Sequence, residues 1–179
     1  MKKTTLFLVL LFVTVFSALA QEEADVEKFN YSNITEFGFN TTSPEGIAFE
    51  ATTVHGFSIN KKHCIGFGVG IGLHSQIPST IYTPIFFNYR IYFKPTKTFS
   101  PHVNVIAGGV LVDDGKGIIA SFSSGFRAGK FSLSSGLSFM AICRTYTQEF
   151  ISGGYITEIK TDKEWIYPFG VTIKVGFSF

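Results

Sequence analysis

The stretch "IGFGVGIGL", residues 65–73, alternates without a break: Ile65, Phe67, Val69, Ile71 and Leu73 against Gly66, Gly68, Gly70 and Gly72. A period of two is that of a β-strand, whose successive side chains point to opposite faces. One face here is bulky and apolar; the other has no side chains at all. A sheet packed against a second sheet needs bulk on its inner face, and a solvated face carries polar groups. A file of glycines suits a narrow space that neighbours must share.

The same alternation recurs along the chain in about eight runs. Phe37 and Phe39 oppose Glu36 and Gly38; Ile47, Phe49 and Ala51 oppose Glu50 and Thr52. Ile85, Phe87, Tyr89, Ile91 and Phe93 oppose Phe86, Asn88, Arg90, Tyr92 and Lys94, and Val103, Val105 and Ala107 oppose His102, Asn104 and Ile106. Phe122 and Phe126 oppose Ser121, Ser123 and Arg127; Leu133, Leu137 and Phe139 oppose Ser132, Ser134, Gly136 and Ser138. "FGVTIKVGFSF" supplies the last run, Phe169 to Phe179, with Lys174 on its polar side. Turn chemistry separates the runs: "TTSPEG", "NKKH", "PTKTFS" and "DDGKG". The longest polar stretch, 146–164, reads as a loop.

Alternation alone fits a soluble barrel of the lipocalin type as well as a membrane barrel, because only the side facing water differs. Three features favour lipid on the apolar side. The polar faces are rich in Gly and Ser, which fits the crowded interior of an eight-strand barrel. Their charges are few and mixed in sign: Glu36, Glu50, Arg90, Arg127, Arg144 and Lys174, a set able to pair across a lumen as buried charges must. The 21 Phe residues, with aromatics at 16% of the chain, exceed what a modest soluble core absorbs. A sheet in hydrocarbon must close on itself, since unpaired backbone groups there cost several kcal/mol each. The expected fold is all-β: a closed antiparallel up-and-down transmembrane β-barrel of about eight strands.

The N-terminus reads as a targeting segment. Lys2 and Lys3 precede the apolar "TLFLVLLFVTVF", and Ala18 and Ala20 give an A-x-A cleavage pattern. The expected organisation is a cleaved signal peptide at 1–20, a polar periplasmic leader at 21–30 and the barrel at 31–179. Cleavage removes two of the 15 Lys and Arg and none of the 13 Asp and Glu, so the remaining chain is near neutral. That balance offers no basic patch for nucleic acid. No apolar run after the signal reaches the 18 residues of a transmembrane helix.

In its signal, its hairpin series "VHGFSIN…IGFGVGIGL…YTPIFFNYRIYFK…SPHVNVIAGG" and its final "VTIKVGFSF", the chain resembles the small outer-membrane β-barrel proteins of Gram-negative bacteria. The resemblance covers essentially everything after residue 20. It implies location in the outer membrane, contact with outer-membrane lipid, and handling by periplasmic chaperones and the barrel assembly machinery. It also implies that Ile173, Val175, Phe177 and Phe179 form the face this machinery reads. The class shares no chemistry, so the implied role is structural, in the envelope or in surface interaction through extracellular loops, for a monomer without cofactors. A narrow pore or small-ligand transport barrel is the alternative; the lumen charges carry a positive excess that would favour anions if water entered. An outer-leaflet lipid-modifying enzyme is a second alternative, with His74 beside Ser75, Ser79 or Glu149 as the groups to consider.

Other features read more simply. Tyr82, Tyr146, Trp165 and Tyr167 fit an aromatic belt at the outer interface. His55, His63, His74 and His102 lack metal-ligand spacing. Cys64 and Cys143 fall toward opposite ends of their strands, beyond disulfide reach.

Overall fold

A computed structural model describes residues 29–43, 46–75, 80–113, 115–152 and 155–179. It is all-β: β1 (Phe29–Ser43), β2 (Gly46–Ile59), β3 (His63–His74), β4 (Thr80–Tyr92), β5 (Phe99–Val112), β6 (Gly115–Ala128), β7 (Phe131–Ser152), β8 (Tyr155–Ile166) and β9 (Phe169–Ser178). Each of β1 to β7 pairs antiparallel with the next. β7 then pairs with β9, and β9 with β1, which closes the wall. The result is an eight-strand barrel made of β1 to β7 and β9, plus one extra strand, β8.

The pairing register fixes the barrel's shape. Ser32 lies opposite Gly56, and the line continues through Gly66, Asn88, Ile106, Ser121, Ser138 and Gly170 to Thr42. One circuit of the wall therefore returns to β1 ten residues from its start, from Ser32 to Thr42. Eight strands with that stagger tilt by roughly 40–45°, within the range of closed barrels.

β8 and β9 are two parts of one long strand. Across β7, Ile142 faces Ile166 and Phe139 faces Phe169, so the register runs through unbroken. Met140 donates its amide to the Pro168 carbonyl at 2.9 Å. Proline has no N–H to return the bond, which is why the strand is interrupted there. β6 stays paired with β7 as far as Arg144; past it β7 and β8 continue as a two-stranded arm. The stretch 146–164, expected as a loop, is mostly this arm. Its sequence is rich in polar residues without a sustained apolar alternation, so the strands are not revealed.

The two ends of the barrel differ in their connections. One end has a two-residue hairpin at Asn60–Lys61, both with positive φ (52° and 58°), closed by Lys62 N–H to the Ile59 carbonyl at 3.0 Å. Two left-handed residues in succession define the tight hairpin turn that matches strand twist. The same end has a turn at Gly129, with φ of 61°, and the connection at 93–98. β1 starts and β9 finishes here. β1 begins two residues before the expected boundary at 31, because Phe29 and Asn30 already pair with Ile59 and Ser58. Residues 1–28, with the expected signal peptide and most of the leader, lie outside the described residues. The opposite end carries the finishing ends of β1, β3 and β5, the starts of β2, β4 and β6, and the arm.

Candidate functional site

The barrel interior gathers the chain's buried chemistry. Even-numbered residues of β1 to β5 and β9 point inward, as do odd-numbered ones of β6. Outward positions carry large apolar side chains with high exposure, such as Phe67 at 72%, Phe49 at 58% and Phe37 at 57%. Inside, Arg90 is 0%, Glu36 1% and Lys174 6% exposed. The usual placing of greasy and charged residues is reversed.

Toward the end where the chain termini lie, the interior is mostly polar, around a small apolar cluster of Ile34, Val54, Phe86 and Ile106. The Arg90 guanidinium donates Nη2–H to Glu36 Oε1 at 2.6 Å, a charge-assisted bond between two fully enclosed groups. Asn88 donates to Asn104 Oδ1 at 2.8 Å. The Arg127 guanidinium sits 4.2 Å from the Tyr92 ring centre and donates to the Pro95 carbonyl at 3.2 Å. The Tyr92 and His102 rings lie 5.4 Å apart. Ser100, Ser121, Ser123, Ser132, Ser134 and Ser138 fill the remaining polar wall.

Halfway along, Lys174 Nζ lies 3.4 Å from Glu50 Oε2, and Tyr82 donates its hydroxyl to Glu50 Oε1 at 2.7 Å. The glycine file of β3 explains how these side chains fit. A Cβ on Gly68 would collide with the Phe86 ring, and one on Gly72 with the Tyr82 ring. The glycines are the floor on which two inward aromatics lie.

Above this level the interior turns apolar. Ala48, Tyr82, Val110, Val112, Ile119, Met140 and Ile142 form one buried cluster. Their positions near the β1–β2, β3–β4 and β5–β6 turns place the cluster at the end that bears the arm. It caps the polar interior with hydrocarbon. His74 lies beside it and bonds Thr42 Oγ1 through Nε2 at 3.0 Å.

The expected lumen charges are therefore found inside, with Glu36 joined to Arg90 and Glu50 to Lys174. Arg144 is buried where the arm leaves the wall, and Arg127 is half-buried near the opposite rim. Tyr82, expected at the outer interface, is a correction. It shares the parity of Phe86, Asn88 and Arg90 on β4 and points inward; its level along the strand was considered without its side. Trp165 and Tyr167 are exposed and stacked, centroids 6.2 Å apart. The Tyr146 side chain lies outside the described residues. Ile173, Phe177 and Phe179 are exposed on the outer face of β9, with Val175 half-buried between them. Cys64 and Cys143 are free thiols.

The considered His74–Ser75–Ser79–Glu149 group is not brought together among the described residues. His74 bonds Thr42, while Ser75 Oγ accepts the Ile47 amide at 3.0 Å. The Ser79 and Glu149 side chains are outside the described set. No group of three or more His, Cys, Asp or Glu able to hold a metal occurs among the described residues.

Two features escaped the sequence reading. One is the apolar cap. The other is a ring of outward aromatics at the terminal end: Phe29, Tyr31, Phe57, Phe93, Phe99 and Phe179 are all exposed there. Their signal was present, since each sits at or near a strand end. No protein-family model matches the sequence, and no curated protein matches it significantly.

Proposed function

We propose that this protein is an integral β-barrel of the bacterial outer membrane. Its wall anchors it in lipid, and its arm-bearing end presents a surface for envelope or interaction roles outside the cell. The observation that carries this reading is the inverted wall, with Arg90 and Glu36 sealed inside and Phe37, Phe49, Phe67, Ile71, Ile85, Phe122 and Ile173 exposed around the outside. Soluble monomers rarely expose contiguous apolar surface beyond a few hundred Å². Strands of 12–15 residues in β1 to β6 at this tilt make a wall roughly 30 Å tall. That height accommodates the apolar band of about 25 Å typical of such barrels. The outward aromatics at both ends, Phe29, Tyr31, Phe57 and Phe99 against Trp165 and Tyr167, would lie at the two interfaces.

A structural role is favoured over conduction because ion pairs lie across the polar half of the interior and a buried hydrocarbon cluster lies toward the arm-bearing end, both obstacles to a hydrated route. Periplasmic chaperones and the barrel assembly machinery would deliver and insert the chain, with Ile173, Val175, Phe177 and Phe179 as the face read on β9.

Fractionation with heat-modifiable gel mobility tests the anchor. The expected result is recovery in the outer-membrane fraction, a folded form soluble only with detergent, and a mobility shift on boiling. A folded monomer stable in buffer without detergent would overturn the reading. Planar-bilayer recording is expected to show no discrete steps; regular steps would favour the pore.

A further inference from the structure

One region of the outer wall breaks the apolar pattern. On β1 and β2, His55 faces outward and is surrounded by polar neighbours: Tyr31 Oη lies 2.6 Å from Nδ1, Asn33 Nδ2 3.0 Å from Nδ1, and Thr53 Oγ1 3.3 Å from Nε2. With the ring proton on Nε2, the Tyr31 hydroxyl donates to Nδ1 and Nε2–H donates to Thr53. The Asn33 amide nitrogen lies near both ring nitrogens, 3.0 Å from Nδ1 and 3.3 Å from Nε2. Polar groups aimed at hydrocarbon are costly without partners, and this cluster satisfies the imidazole internally. It leaves donors at its edge: the Thr53 hydroxyl proton and a second Asn33 amide hydrogen.

Directly above the cluster the wall is indented. Ala51, a small residue on the outward face, lies between Phe37 and Ile71 on the neighbouring strands. Two adjoining hollows share it and Ile71. One, of about 390 Å³, runs along Thr35, Thr53 and Val69; the other, of about 280 Å³, runs along Phe37, Phe49 and Leu73. The groove thus begins at the polar cluster, near the terminal end, and rises along the strands between apolar ridges. Its polarity is graded: hydrogen-bond donors at the foot and hydrocarbon above.

We propose that this groove holds a diacyl phospholipid of the periplasmic leaflet. One acyl chain lies over Ala51 between Phe37 and Ile71. The ester carbonyls, which only accept hydrogen bonds, take them from Thr53 and Asn33. The orientation follows from the membrane reading on which this inference rests: the foot of the groove is at the terminal end, where a periplasmic-leaflet lipid has its headgroup. A single-chain groove with donors at one end matches an amphiphile better than it matches the flat wall of a second barrel.

Native mass spectrometry of the detergent-folded full chain tests this, with palmitoyl-oleoyl phosphatidylethanolamine as the probe. The wild type is expected as a monomer that retains one lipid after the detergent is stripped. Ala51→Phe, which fills the groove, is expected to weaken retention about tenfold, while the same change at the outward Ala107 leaves it unaltered. The double change Asn33→Leu with His55→Leu keeps the wall apolar and removes the donors; it is expected to lower retention similarly and serves if Ala51→Phe does not fold. Equal retention in Ala51→Phe and wild type would overturn the proposal, as would a lipid-free dimer disrupted by Ala51→Phe, which would make a second copy the occupant. A protein that stays folded in detergent but retains no lipid refutes this inference alone. One that is soluble without detergent refutes the membrane reading beneath it.

Discussion

The two ends of the barrel interior solve the same packing problem with opposite chemistry. At the terminal end, Arg90 with Glu36 and Asn88 with Asn104 are held by directed bonds, among small serines and the apolar Ile34, Val54, Phe86 and Ile106. At the arm-bearing end the space is filled by Val110, Ile119, Met140 and Ile142, held by shape. Directed bonds between charges are demanding: each group depends on one partner, and losing it strands the other in a dry space. Hydrocarbon packing is forgiving, since a missing methyl costs only its own contacts and the hole it leaves.

The sharpest way to break this comparison is Glu36→Gln. It leaves the enclosed Arg90 charge without its counter-ion, and a loss of about 3–5 kcal/mol is expected. Urea unfolding in detergent, followed by the loss of β-sheet circular dichroism, measures it. Replacing both partners, Glu36→Leu with Arg90→Met, converts this pair to the chemistry of the cap and is expected to recover most of the loss. A double variant as unstable as the single one would show that the polar half does not behave as paired charge.

Gly72→Ala probes the seam between the halves. The added methyl meets the Tyr82 ring, which belongs to the apolar cluster and also bonds Glu50. A cost of about 1–3 kcal/mol is expected from overpacking. Adding Tyr82→Leu should relieve part of it, a non-additivity read in a double-mutant cycle. The smallest effect is expected within the cap, where Ile119→Val removes one methylene for about 0.5–1.5 kcal/mol. A loss there as large as that of Glu36→Gln would erase the distinction.

The same contrast explains what the sequence disclosed. Strand parity is legible wherever the two faces differ, and the sequence alone puts Glu36, Glu50, Arg90 and Lys174 on one side. It fails where the faces are alike. Around Val110, Leu111 and Val112, and again around Met140, Ala141 and Ile142, both faces are apolar, so the cap has no periodic signature. In the arm the sequence is mostly polar with no sustained alternation, and strands read as loop. Tyr82 was misplaced for a related reason: an aromatic suits the interface and the interior equally, and only its even number distinguishes them. The partners depend on strand register, which no single run of sequence encodes: Lys174 and Glu50 meet across Gly38 of β1, and Arg90 of β4 reaches Glu36 of β1.

That Pro168 cannot return the bond it receives from Met140 has a dynamic consequence. Cooperative opening of a β-ladder passes from one hydrogen-bonded pair to the next, and here the chain of pairs has a gap at the rim. Fraying that starts in the arm should halt at this gap rather than run down into the closing seam between β7 and β9. Amide hydrogen exchange should then divide the pairing into two cooperative units, with protection far greater at 131–139 and 169–177 than at 145–151 and 156–163. Pro168→Val, which restores the donor, should merge them. The proline would thus let the exposed arm open and re-form while the barrel's last seam stays shut.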